Sequence, residues 1–502
     1  MNASIHPIAF NAKKWFFIFC IAHIILWTLG SWYCRHNLPF DTTEAIAWGN
    51  QWQLSYSKHP PFSPWMLALF FKLGTQWPIY LLAQLAVCVM FWAIWRLAQR
   101  IVSPVQALAS VMMLEGVIYF NLNSPKINPT TMMTPVWALI MLVGYLALLE
   151  RKRFLWIVLG MLAGISVLTK YEAPFLLLSL LLVSVITPEG RSQYKTLGPY
   201  LAFLMCAVVV TPHFIASAKL NFPEIHYALQ SGHGELHAGG ALQGWWAHLF
   251  YPINVFFEEV GAVFGVILMA LTFFWAPKTQ QTIGRFNWTY LLLMGFGPFV
   301  LVLLLSLISG NYLYANWGTP FFSMLGLIII AWRKPLFDRI TWKRFLTVFL
   351  IIALGILVGR DGYLLFGPVI TNRADPDAYF PGQEVSMAVT DYWQEHEHTP
   401  LHYIAGDRYL VANINVYSTD HPIPYFAWSY YQSPWVNPKQ LYQQGGMFVW
   451  WMKTPKDAKI PASVAKRFPA AQYLGIMTFP KDAHTQKPEF VSIGVAILLP
   501  GH

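Results

Sequence analysis

PFSPWMLALFFKLG, residues 61–74, is the stretch on which the reading of the whole chain turns. Its unbroken apolar run is shorter than the roughly 20 residues needed to cross about 30 Å of hydrocarbon. It also carries Pro61, Pro64 and Lys72. The stretch therefore reads as an interfacial or re-entrant helix. Counting it as a span would reverse the sidedness of every loop after it. With the stretch kept off the list of spans, the N-terminus and inner loops hold sixteen Lys and Arg, from Lys13 to Arg344, against six on the outer side of the membrane part. That is the positive-inside pattern; the opposite choice puts fourteen of the sixteen outside.

Working outward, the 502 residues are 56% hydrophobic and 11% charged. Soluble chains run near a quarter charged, so the solvent for most of this chain is lipid. About eleven apolar runs recur from Trp15 to Val358, near 15–33, 78–98, 104–121, 131–149, 154–170, 172–187, 197–216, 253–276, 288–308, 319–332 and 345–359. The first follows Lys13 and Lys14, lacks a small-residue cleavage site and reads as a retained anchor. The net charge of +10 is not a nucleic-acid patch, because residues 360–502 hold 11 Lys and Arg against 12 Asp and Glu. Cys20, Cys34, Cys88 and Cys206 show no metal or redox spacing.

The division that follows is a membrane domain over 1–359, with outer loop 34–60 and interfacial helix 61–74, and a soluble domain over 360–502. In the latter, LHYIAGD (401–407), MFVWWM (447–452) and VSIGVAILL (491–499) read as strands, and a helix is expected near 383–397. A small α/β or α+β domain is the expectation. The topology places it outside, together with the polar, aromatic-rich stretches 34–60, 121–130, 219–244 and 309–318.

Ionisable side chains gather in the first of these stretches. FDTTEAIAWGNQWQLSYSKHPPFSPW, 40–65, holds Asp41, Glu44, Lys58 and His59. Two readings fit Asp41 and Glu44 equally: a pair of carboxylates on one helix face, or an N-cap and its capping-box partner. Lys58, at the Pro-rich end of the loop, reads as an interfacial anchor, and Lys170 and Lys126 read as lysines snorkelling to the headgroups. Glu115, Glu258 and Glu259 lie within apolar runs, so each is expected to face the protein interior or a wet cavity, or to lie protonated. SGHGELH spaces His233, Glu235 and His237 as a weak metal or phosphate candidate, which a solvated Gly-rich loop explains as well. Trp317, with Tyr312 and Tyr314, reads as the aromatic belt of an outer interface.

The first-loop Asp and Glu, the EAIAWG helix start and the Y-x-K-H-P-P segment resemble glycosyltransferase family 39, relatives of protein O-mannosyltransferases and of the lipid A aminoarabinose transferase, with the membrane fold called GT-C. LTKYEAP (168–174), TPHFIASAKLNFPEIHYAL (211–229), NWGTP (316–320), FPGQE (380–384) and YIAGD (403–407) extend the likeness along nearly the whole chain. The resemblance implies an α-helical polytopic protein of about 11 to 13 spans with a C-terminal soluble domain. It implies inverting transfer of a sugar from a polyprenyl-phosphate donor to a glycolipid acceptor, lipopolysaccharide core or lipid A, on the outer face of a bacterial inner membrane. The C-terminal domain would then be periplasmic. Asp41, with Glu44, would be the catalytic carboxylate, and Lys58, Lys170 and Lys126 would hold the donor phosphate. His59, Asn128, Tyr171, His213 and Trp317 would line the substrate cavity. Some family members carry a further Asp where this chain has Asn128, Thr130 and Thr131, so Asp41 would act with Glu44 or with neutral polar help. No cofactor is required by this chemistry; a divalent cation is compatible with it, and the partners are lipids, not nucleic acid. The rival readings are a protein O-glycosyltransferase of the same fold, and a transporter or lipid flippase. The second predicts two similar halves, and no such repeat stands out.

Overall fold

The computed structural model describes residues 10–232, 244–452, 454, 457–481, 485 and 488–501. The chain divides into two compact units, one of residues 1–28 with 83–359 and one of 29–82 with 360–502. Residues 34–74 therefore belong to the same unit as the C-terminal domain.

The first unit is helical. Across the described residues of the whole chain, six helices are long and apolar enough to cross a bilayer: Ala12–Cys34, Trp77–Ala98, Pro129–Glu150, Gly198–Lys219, Arg285–Ser309 and Arg339–Thr371. Trp245–Ala262 and Phe264–Leu271 form a further pair bent by 50°. Shorter apolar helices cover Arg153–Thr169 and Ala173–Ile186. Besides the bent pair, which breaks the run near 253–276, two further apolar runs do not form long continuous helices. The run near 104–121 becomes a helix at Pro104–Met112 followed by two 3₁₀ turns, and the run near 319–332 yields a helix only at Leu325–Arg333. At the first break Gly116 lies directly on the backbone of Gly265 and Val266, where a Cβ would come within 2.3 Å of the Val266 nitrogen. The chain bends there to let two backbones touch.

The buried acids of this unit have partners. Glu115 Oε1 lies 2.5 Å from His23 Nδ1, while His23 Nε2 meets Gln84 Oε1 at 3.0 Å. Glu259 Oε2 accepts from the Tyr119 hydroxyl at 3.0 Å. Glu258 is exposed rather than buried and accepts from Asn254 Nδ2, one turn earlier, at 2.7 Å.

In the second unit five strands make one mixed sheet: β1 Tyr403–Gly406, β2 Ile423–Phe426, β3 Gly446–Trp451, β4 Gln472–Pro480 and β5 Phe490–Leu498. The order is β2-β1-β3-β5-β4, parallel across the first three and antiparallel across the last two pairings. Alternation sorts the side chains by face, as a pleated strand requires. Ile404, Met447 and Val449 join Val385, Val389 and Trp393 of the Gly382–Glu397 helix on one side. Tyr403, Ala405, Phe448 and Trp450 face Phe468 on the other. Ala47, Trp48 and Tyr56, from the first loop, are buried in the first of these clusters.

That loop folds as two short helices, Phe40–Gly49 and Phe62–Phe71. The second has 10 residues and so measures about 15 Å, half the hydrocarbon thickness. The two backbones meet at Gly49, whose Cβ, if present, would sit 2.0 Å from the Pro64 carbonyl oxygen.

Candidate functional site

The Phe40–Gly49 helix begins two residues earlier than a capping box would require. Its N-cap is Pro39, which makes no side-chain cap, and Asp41 lies within the first turn. The capping-box reading of Asp41 and Glu44 therefore fails. Asp41 is exposed, and its carboxylate charge is favoured by the positive end of the helix.

Glu44 is 2% exposed. Its Oε2 accepts from Lys58 Nζ at 2.9 Å, and its Oε1 pairs with Arg408 from the helix that follows β1. Lys58 Nζ also lies 5.5 Å from the Phe40 ring centroid and 6.0 Å from that of Trp48. Two cations thus hold one buried carboxylate, and the three carry a net positive charge beside the exposed Asp41 helix turn. His59 sits edge-on to Trp48 at 6.3 Å. Tyr56 stacks on the same indole at 5.7 Å; burial pushes its phenol up, and its oxygen accepts from the Gln53 amide at 3.0 Å.

A second polar cluster lies in the other unit. Asn128 caps the Pro129–Glu150 helix, its side chain accepting from Thr130 and Thr131 nitrogens at 3.0 and 3.1 Å. Capping uses the side-chain oxygen of this asparagine. Lys170 ends the Arg153–Thr169 helix in an extended conformation and is 8% exposed. Its Nζ donates to Thr130 Oγ1 at 2.9 Å, pairs with Glu172 Oε1 at 2.6 Å and stands 4.8 Å above the Trp317 ring. A snorkelling lysine would reach away from the protein; this one is held inward by three groups. Tyr171 and buried His213 share a hydrogen bond of 2.7 Å, Tyr171 Oη to His213 Nε2. Lys126 is exposed on the loop before Asn128. His233, Glu235 and His237 lie outside the described residues, among which no group of three or more His, Cys, Asp or Glu is placed to hold a metal.

The sequence pattern found the loop residues and missed Arg408, which no local spacing marks because it is 364 residues from Glu44. Nor does any local spacing mark Thr130 as the partner of Lys170, 40 residues away.

Comparisons with known proteins agree with this architecture. The dolichyl-phosphate-mannose-protein mannosyltransferase family model matches residues 58–215, a range that takes in Lys58, Lys126, Asn128, Lys170, Tyr171 and His213. Lipid A galacturonosyltransferase RgtD of Rhizobium johnstonii is 22% identical over 312 residues, 59% of this chain. The match spans 62% of that relative's own length. The crystal structure of ArnT from Cupriavidus metallidurans bound to undecaprenyl phosphate superposes with a TM-score of 0.63 at 14% identity, over 98% of this chain and 99% of that one. The apo state of ArnT gives 0.61 at 13% identity, over 96% and 98%. The chain is a multi-pass membrane protein of the GT-C fold that resembles the protein O-mannosyltransferase family of glycosyltransferases and, among them, the enzymes that modify lipid A.

Proposed function

We propose that the protein is an inverting glycosyltransferase that moves a sugar from a polyprenyl-phosphate donor to a glycolipid acceptor, lipid A or lipopolysaccharide core. The reaction would take place on the outer face of a bacterial inner membrane, with residues 360–502 in the periplasm. Asp41 is the base: it takes the proton of the acceptor nucleophile as that atom attacks the anomeric carbon from the face opposite the departing phosphate. Lys58 and Lys170 are the cations that stabilise the phosphate as its charge grows, with Lys126 steering it from the exposed loop. The supporting observation is the division of labour in the first loop. Glu44 is buried and neutralised by Lys58 and Arg408, whereas Asp41, one turn before it, is exposed.

The test is transfer by the purified full chain, with undecaprenyl-phosphate-linked sugars as donors and lipid A as acceptor, followed by mass spectrometry of the glycolipid. Asp41→Asn should abolish the product while leaving expression and elution profile unchanged. Undiminished product from that variant would remove Asp41 from the mechanism. Absence of product from the wild type with every polyprenyl-linked sugar would remove the reaction itself.

A further inference from the structure

A polar cavity of about 260 Å³ lies at the end of the Ala12–Cys34 helix, within the second unit and apart from the Glu44 cluster. Trp32, Arg35, His36, Gln76, Gln383 and Glu384 are among its lining residues. Arg35 is only 6% exposed. Its Nε and Nη2 have no hydrogen-bond partner among the described residues, and its ion pair there is a long one, 3.9 Å to Asp375 Oδ1. That carboxylate oxygen already accepts from the Asp377 and Ala378 amides at 3.1 and 2.7 Å. The Tyr80 hydroxyl also lies beside this guanidinium, whose Nε and Nη2 are shut off from solvent; the charge that Arg35 brings to the cavity lining nonetheless favours an anion there.

A second positive feature faces the same cavity. Gln383 and Glu384 belong to the first turn of the 16-residue Gly382–Glu397 helix, whose N-cap, Pro381, gives no side-chain cap. The positive end of that helix therefore adds to the guanidinium. The rim has a different chemistry. Gln383 and Glu384 are exposed amide and carboxylate groups suited to hydroxyls, and Gln76 is fixed by donating to the His36 carbonyl at 2.9 Å. Trp32, half exposed, offers a flat apolar face at the end of a membrane-spanning helix.

We propose that this cavity binds a phosphorylated sugar headgroup, with the phosphate toward Arg35 and the helix N-terminus, the sugar hydroxyls on Gln383 and Glu384, and the sugar's apolar face on Trp32. The inference rests on the reading of the chain as a transferase acting on a glycolipid, and it assigns the acceptor a docking site outside the reacting centre. A sugar phosphate is favoured over a simple phospholipid headgroup because the anion site is ringed by hydroxyl-binding groups and an aromatic face.

The test is native mass spectrometry of the full chain in detergent with four probes: bis-phosphorylated lipid A, the same lipid after enzymatic removal of its phosphates, phosphatidylglycerol, and undecaprenyl phosphate. Wild-type protein should retain phosphorylated lipid A at least tenfold better than the dephosphorylated form or phosphatidylglycerol. Arg35→Gln should lose that preference and still bind undecaprenyl phosphate as the wild type does. Because Arg35 is buried, Glu384→Ala at the rim supplies a second variant, expected to weaken lipid A binding several-fold and leave phosphatidylglycerol unchanged. Equal retention of the two forms of lipid A overturns the proposal. So does phosphatidylglycerol binding as well as phosphorylated lipid A, which would make this a phospholipid site. Failure of the wild type to bind undecaprenyl phosphate would instead count against the transferase reading, with the lipid A comparison still decisive for the cavity.

Discussion

Lys58 Nζ lies 2.9 Å from Glu44 Oε2, and the side chains of the two residues are 11% and 3% exposed. With Arg408 on the other carboxylate oxygen, Glu44 ties two positions of the first loop to the helix after β1. Removing its charge leaves two cations facing each other with little water between them. Loss of one partner from a buried pair costs about 3–5 kcal/mol. Glu44→Gln should therefore lower the apparent melting temperature of the detergent-solubilised protein well beyond the effect of an exposed change such as Lys126→Gln. A Glu44→Gln protein melting with the wild type would show that the triad contributes nothing to stability.

The pairing of Lys481 with Glu489 gives the soluble part an acid-side dependence. Lys481 Nζ meets Glu489 Oε2 at 2.7 Å, and the Ala374 amide donates to Oε1 at 3.0 Å. The hydrogen bond from Lys481, aided by the Ala374 amide, holds this carboxyl below the ordinary glutamate range. A folded-state value below the unfolded one means stability that is fully present above the unfolded pKa and lost as pH falls through the folded one. Wild type should exceed Glu489→Gln in stability at neutral pH, and the gap should close below the usual carboxylate range. A gap that persists at the acid end would show that the contribution comes from packing and not from charge.

The legible parts of the chain were those whose signal is local. Strands β1, β3 and β5 fall on the apolar stretches 401–407, 447–452 and 491–499, because a strand buried on both faces reads as a short continuous apolar run. The helix at Gly382–Glu397 was visible for the matching reason at helical period. Long-range pairings were not visible. His23 meets Glu115 across 92 residues, and Glu44 meets Arg408 across 364. A carboxylate in an apolar run announces that it needs a partner, but sequence spacing does not name one. The break near residue 113 was hidden too, because hydropathy reports where a segment can be buried and says nothing of the touching of the Gly116 and Gly265 backbones there.

Sidedness follows from the short helix Phe62–Phe71. Phe62–Phe71 covers about 15 Å, so Lys72 should remain on the side of the first loop and Arg96, at the end of Trp77–Ala98, should lie across the membrane. Both residues are exposed. Of the native cysteines three are buried and Cys206 is partly exposed, so Cys206→Ser is the background to use. In intact spheroplasts an impermeant maleimide should label a cysteine at position 72 and reach one at position 96 only after the membrane is opened. The reverse pattern would turn the outer loops and the C-terminal domain inward and remove the periplasmic assignment.

Lys170 can be tested through its neighbour without touching its charge. Thr130 Oγ1 accepts from Lys170 Nζ at 2.9 Å, Glu172 holds the same ammonium at 2.6 Å, and Trp317 lies beneath it at 4.8 Å. If Lys170 holds the donor phosphate, removing its charge should weaken undecaprenyl phosphate binding by about 1.5–3 kcal/mol, on the order of 10- to 100-fold, as for loss of a charged hydrogen bond. Lys170→Met should show that loss. Thr130→Val keeps the cation and removes one restraint on it, so it should cost about 0.5–1.5 kcal/mol, a rise of roughly 2- to 10-fold in the KM for donor at nearly constant kcat. The two losses should not add in the double variant, because the hydroxyl matters only through the ammonium it orients. Additive effects would mean that Thr130 acts on substrate independently. A Lys170→Met protein that binds donor normally would return Lys170 to a structural role, as the partner that neutralises Glu172.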